Sequence, residues 1–138
     1  MLTRRTLLLG AGAAALAPLD TAHAKASQPS TPVNFEIPAH ACDTHTHLVG
    51  PKLWSGREYT HKPATPAEMA KLHRALHMER VAIITPIIHG TDNSYTAAGI
   101  KARGATARGV ALVEDNVTEK ELARLDKLGF RGIRKDLR

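Results

Sequence analysis

Apolar residues along the chain follow two different periods. Arg80-Val81-Ala82-Ile83-Ile84-Thr85 is an almost continuous apolar run stopped by Pro86, and Arg108-Gly109-Val110-Ala111-Leu112-Val113 is another. Short uninterrupted runs of this kind fit strands buried on both faces, as in parallel sheets. Elsewhere the spacing changes to three and four. Met69, Leu72, His73 and Leu76 fall on one helical face, and Leu122, Leu125 and Leu128 form a second stripe. Each helix has a start signal. Thr65-Pro66-Ala67-Glu68 gives an N-cap threonine, a proline at the first helical position and a glutamate at the third, a capping box. Thr118-Glu119-Lys120-Glu121 repeats the box, and Gly129 suits the C′ position of that helix. Between them Asp92 suits the N-cap of a helix from Asn93 to about Arg103, which Gly104 ends. Ala41 to His47 reads as a first strand and Phe130-Arg131-Gly132-Ile133-Arg134 as a fourth.

The predicted order is therefore strand, helix, strand, helix, strand, helix, strand. Regular alternation with short connections implies α/β architecture, with a parallel sheet and right-handed crossovers. Two closed solutions fit, a doubly wound sheet and a (β/α)8 barrel. No G-x-G-x-x-G follows the first strand, which argues against dinucleotide binding. Polar residues gather just after the strand ends: His45 and His47, His89 to Asn93, Glu114 to Asn116, and Arg134 to Asp136. Both architectures place their sites in those carboxyl-end loops.

The sharpest chemical signal is Asp43-Thr44-His45-Thr46-His47, followed by the Gly50-Pro51 turn. Strand side chains alternate between faces, so His45 and His47 point the same way. Two imidazoles on one face make a pair of metal ligands or a polarising pair for a carbonyl group. The alternative is a strand with two solvated histidines. His73 and His77 also stand four apart on a helix. No H-E-x-x-H surrounds them, so they are expected to be ordinary partly buried or surface histidines. The loop from Leu48 to Ala64 is long, holds Trp54 and Tyr59, and so invites a functional reading. Cys42 is the only cysteine, which excludes an internal disulfide, and it is expected to be a small buried residue.

Composition refines this picture at a few points. With 138 residues, 43% of them hydrophobic, the chain suits one domain with a core. The net charge of +6 is spread over helical faces and is not interleaved with aromatics, which argues against a nucleic-acid partner and leaves a mild preference for anionic small molecules. The first residues are expected to be a leader. Arg4-Arg5 precedes an apolar run through Leu16, and Ala22-His23-Ala24 gives an A-x-A cleavage site. The arginine pair resembles a twin-arginine signal, so residues 1–24 read as a signal peptide and the mature chain as periplasmic, with no membrane attachment after cleavage. The apolar run is too short and too rich in Ala and Gly for a membrane span. Residues 25–36 read as a flexible lead-in and residues 37–138 as the folded domain.

Taken together, Ala41-Cys42-Asp43-Thr44-His45-Thr46-His47 with Gly50-Pro51, Tyr59-Thr60, Ile84-Thr85-Pro86, His89-Gly90-Thr91-Asp92-Asn93, Arg108-Gly109-Val110-Ala111 and Arg131-Gly132-Ile133-Arg134 resembles the amidohydrolase superfamily. Within its amidohydrolase-2 group the pattern is similar to the 2-pyrone-4,6-dicarboxylate lactonases, from about Ile37 onward. The resemblance implies a distorted (β/α)8 TIM barrel, of which 37–138 would be the N-terminal part, the first four β/α units, since such barrels run to about 250 residues. It implies a hydrolase acting on a carboxylated lactone or related cyclic carboxylic acid. A metal-dependent decarboxylase of the same group, or a non-catalytic exported remnant that binds metal or carboxylates, are the alternatives. Carried over residue by residue, His45 and His47 are catalytic, Tyr59 contacts substrate, and Arg134 grips a substrate carboxylate. If a divalent metal such as zinc takes part, His45 and His47 are its ligands; the lactonases of this branch are thought not to require one. The partner implied is a small carboxylated substrate, with a homo-oligomer as the possible assembly. Two positions depart from the pattern: Ile87 stands where relatives carry a small polar residue, and Lys135-Asp136 where they carry an aromatic and an asparagine.

Overall fold

A computed structural model describes residues 28–29 and 31–137. The expected leader, residues 1–24, and part of the lead-in lie outside the described residues. Four strands form one parallel sheet: β1 (Cys42–Thr46), β2 (Arg80–Ile84), β3 (Ala107–Leu112) and β4 (Phe130–Arg134), in the spatial order β1-β2-β3-β4. Three helices connect them: α1 (Pro66–Ala75), α2 (Ser94–Arg103) and α3 (Glu119–Lys127). An order that matches the sequence has no switch point, so among the described strands the sheet is wound in one direction, as a barrel wall is.

One core cluster joins the helices to one face of the sheet. Met69 of α1, Ile100 of α2 and Leu125 of α3 pack with Val81, Ile83, Ala107, Ala111 and Phe130 of the strands and with Leu48 beyond β1. The opposite, inner face is covered only in part: Ile84 and Leu112 are buried on it near the carboxyl ends of the strands, while its start in β1 is exposed. Cys42 shows the consequence. The sequence predicts burial there, but Cys42 is exposed, because it pairs with Arg80 at the start of an edge strand and falls on the inner face.

The helix signals are mostly realised. Thr65 and Glu68 form the full capping box, with Pro66 at the helix start. Thr118 caps α3 by accepting from the Glu121 N–H, but the Glu121 carboxylate turns to Arg124 (2.7 Å) instead of completing the box. Asn93, not Asp92, is the N-cap residue of α2. Asp92 still accepts from the Ser94 N–H (3.0 Å), a one-residue displacement of the expected cap. Gly104 (φ 62°) and Gly129 (φ 93°) close α2 and α3 in conformations that suit glycine.

Both edge strands carry an extra residue. In β1, Asp43 pairs with Val81 but Thr46 pairs with Ile83. In β4, Phe130 pairs with Gly109 and Gly132 with Val110. Paired residues of a parallel sheet share a face, so each bulge reverses the phase of the residues beyond it. Without the first bulge His45 would pair with Ile83 and both histidines would enter the helix-facing core. Without the second, Arg134 would follow Val113 into the same core. With them, all three side chains emerge on the inner face.

Candidate active site at the carboxyl ends of the strands

His45 ends up beside His47, ring centroids 5.0 Å apart and edge to face. The His47 Nδ1 lies 2.8 Å from the Ile84 carbonyl oxygen, at the end of β2. A carbonyl only accepts, so Nδ1 carries the proton, and the neutral ring presents a bare Nε2 to the rim. The pKa of His47 is lowered from its usual value of 6.5. Partial burial is the main cause; the Ile84 bond opposes it; the charges of His45, Arg134 and His61 add to it. Arg134 pairs with Leu112 on the same inner face.

Tyr59 stands on the long loop, 44% exposed, its ring edge-on to His61 at 5.3 Å. The structure thus brings His45, His47 and Arg134 to one rim and reaches Tyr59 through His61. The loop itself is pinned rather than free. Val49 and Ala64 exchange backbone bonds of 3.0 Å at its base, and the Trp54 N–H donates to the Ile88 carbonyl at 2.8 Å.

Beside this pair, the same rim opens into a cavity of about 450 Å³, lined among others by Lys52, Trp54, His89, Asp92, Glu114 and Asp136. His45 and His47 do not line it. His89 is buried and accepts from the Gly50 N–H at Nε2 (3.2 Å), so its proton sits on Nδ1. Its pKa is lowered, by burial above all, against the raising effects of Asp92 and the Lys52 carbonyl. Tyr95 stacks on the ring at 6.1 Å. Asn93 is buried and bonds both backbone groups of Leu112, accepting from its N–H at 2.9 Å and donating to its carbonyl at 3.0 Å. This ties the loop after β2 to the end of β3.

Sequence reasoning does not single out His61, the structural roles of His89 and Asn93, or the burial of His73. The sequence predicts a partly buried or surface position for His73. It has 0% exposure, and its Nε2 lies 3.0 Å from the Asp43 Oδ2. His77 lies past the end of α1 with φ 55° and is exposed, so the pair does not form a helical metal site. Among the described residues no cluster of three or more His, Cys, Asp or Glu is placed to hold a metal ion. His45 and His47 offer two donors, fewer than the three protein ligands of a catalytic zinc site. Among the described residues no helix is long and apolar enough to cross a membrane.

Comparison with known proteins shows the family and the fold. A family model, Amidohydrolase, matches residues 42–137. The chain is similar to a 2-pyrone-4,6-dicarbaxylate hydrolase of Comamonas testosteroni, 35% identical over 112 residues, covering 78% of this chain and 36% of that protein. It is similar to a 4-sulfomuconolactone hydrolase of Rhizobium radiobacter, 32% identical over 109 residues, covering 76% of this chain and 36% of the relative. A crystal structure from Agrobacterium tumefaciens, in its apo form, superposes with a TM-score of 0.66 at 27% identity, covering 75% of this chain and 39% of that one. The chain spans about a third of the length of the curated relatives it matches. A parallel sheet wound in sequence order, an H-x-H pair at the carboxyl end of its first strand and a family match over most of the domain place the chain in the amidohydrolase family, with the α/β fold of its TIM barrels.

Proposed function

We propose that these strands supply the first part of a hydrolase site for a lactone that carries an acidic group. The observation that carries the reading is the convergence of His45, His47 and Arg134 on one face of the sheet at its carboxyl end. An arginine fork binds a carboxylate at two points. His45 is then placed to polarise the ring carbonyl, and the bare Nε2 of His47 to accept a hydrogen bond from the attacking water. The tetrahedral oxyanion that follows needs hydrogen-bond donors at the same rim. Tyr59 contacts the ring from the long loop. The names of the relatives support an acidic lactone as the substrate class.

Titrating the chain with 2-pyrone-4,6-dicarboxylate, read by the histidine ring signals in NMR, tests this. Arg134→Lys should weaken binding by about tenfold, since one prong of a charged hydrogen-bond pair is lost. His47→Ala should leave binding within a few-fold and abolish any hydrolysis. Equal binding by Arg134→Lys and the unaltered chain would remove Arg134 from the site.

Export belongs to the same proposal. Arg4-Arg5, the apolar run and Ala22-His23-Ala24 support a twin-arginine leader and a periplasmic product. Arg4→Lys combined with Arg5→Lys should hold the precursor in the cytoplasm on cell fractionation; unchanged export would mean that the pair is not read.

A further inference from the structure

The two site histidines owe their place on the inner face to the bulge in β1, and the structure shows what holds that bulge. Asp43 is the last residue before it. The Asp43 Oδ1 accepts from the His45 N–H at 3.0 Å, and its Oδ2 receives the His73 Nε2–H at 3.0 Å. That imidazole is fully buried on α1, and its Nδ1 has no partner among the described residues. A polar ring buried at the cost of one unmatched nitrogen calls for a compensating role. The proposed reaction does not use it, because Asp43 and His73 lie on the helix side of the sheet while the rim lies on the other.

We propose that Asp43 and His73 are positioning residues: the pair clamps the bulge of β1 from behind and thereby presents both His45 and His47 to the inner face. This rests on the reading of His45 and His47 as the reactive pair. The physical reason is register. The paired alternatives of β1 differ by one residue, and the unbulged one sends two imidazoles into an apolar core. A carboxylate that accepts simultaneously from the bulge backbone and from a helix anchored in the core stabilises only the bulged register. Each arm is a charge-assisted bond, stronger than a neutral one, and the helix-side arm is shielded from water.

The experiment is NMR of the full chain with labelled histidines. It reads the through-space contact of the His47 ring with Ile84, which only the bulged register makes, hydrogen exchange at the His45 amide, and the ring-nitrogen signature of His73. His73→Gln keeps an N–H donor at the Nε2 place and should retain the ring contact and the protected amide. His73→Leu fills the space without a donor. It should lose the ring contact and speed amide exchange by about tenfold, the equivalent of one hydrogen bond. Asp43→Asn should keep the bond to His45 while moving the His73 proton from Nε2 to Nδ1, because an amide N–H now faces the ring. Should His73→Leu unfold, the glutamine and asparagine variants decide. A His73→Leu chain that keeps the ring contact, a His73→Gln chain that loses it, or an Asp43→Asn chain whose His73 proton stays on Nε2 overturns the clamp and leaves the site reading standing. Unaltered protein in which the His47 ring never meets Ile84 overturns both.

Discussion

His47 carries more information than its spacing reveals. The bond from Nδ1 to the Ile84 carbonyl fixes the tautomer, and burial with cationic neighbours lowers its pKa. His89 is held neutral in a similar way, by burial and by the Gly50 N–H that Nε2 accepts. Both folded-state pKa values lie below the usual 6.5. The unfolded chain therefore binds more protons below that value, and stability is complete above it and falls as pH drops through the folded values. The depressed carboxylates, Asp92, Asp115 and Glu121, act in a lower window, below their usual range near 4. The unfolding temperature should accordingly fall between pH 7.5 and pH 5. His89→Gln, whose side-chain oxygen can still accept from Gly50, should flatten that fall in part, with the His47 share remaining. An unchanged slope would show that His89 binds protons alike in the folded and unfolded chain and that its burial has no such effect. At this scale the sequence offers the H-x-H pair and Arg134 as candidates from residue type and strand position, but not the bulges that turn all three to the inner face. It does not yield the burial of His73, the place of His61 or the role of His89, whose partners stand 30 or more residues away or on an irregular loop.

At the scale of elements, local signals are legible where one segment carries them whole. The Thr65 box, the glycine ends of α2 and α3 and the continuous apolar strands need no tertiary knowledge. The bulges are not legible, since a bulge is a relation between two strands and leaves no mark on either alone. Burial at Cys42 fails for a related reason: it stands on the inner face at the start of an edge strand, where that face is open. Gly99 shows how packing overrides propensity. In the middle of α2 an alanine would ordinarily gain about 1 kcal/mol. Here a Cβ would collide with Leu48 Cδ1 and stand 3.3 Å from Ile83 Cδ1. Both side chains are fully buried, and Leu48 follows directly on the site histidines. Overpacking of that kind costs about 1–3 kcal/mol, so Gly99→Ala should destabilise the fold and shift the denaturant midpoint downward. A midpoint that rises would mean that Leu48 has room to turn away, and the packing account would be wrong.

At the scale of the molecule, the order of elements points to the parallel sheet, and the resemblance to its barrel family. What remains is how four strands behave as a unit. Among the described residues β1 and β4 are edges, each with a row of backbone groups on its outer side. The inner face carries Ala82, Val110 and the aliphatic stem of Arg134, with Leu137 92% exposed past the end of β4. In a barrel the same face is filled by side chains from the other strands. The helix-facing core is closed at its centre, with Ile83, Ala107 and Ala111 at 0% exposure, and among the strand residues of that side it opens at the β4 edge, where Ile133, paired with Ala111, is 52% exposed. Association should therefore proceed through the inner face and the strand edges. For the polypeptide of these 138 residues, sedimentation at micromolar concentrations should show dimers or larger species, and the unfolding temperature should rise with protein concentration. A charged substitution on the inner face, Val110→Lys, should shift the population toward monomer while leaving the helix-facing core intact. A monomer that unfolds in one sharp transition, at a temperature independent of concentration, would show that the four-strand unit is self-sufficient and that its open face is satisfied by water.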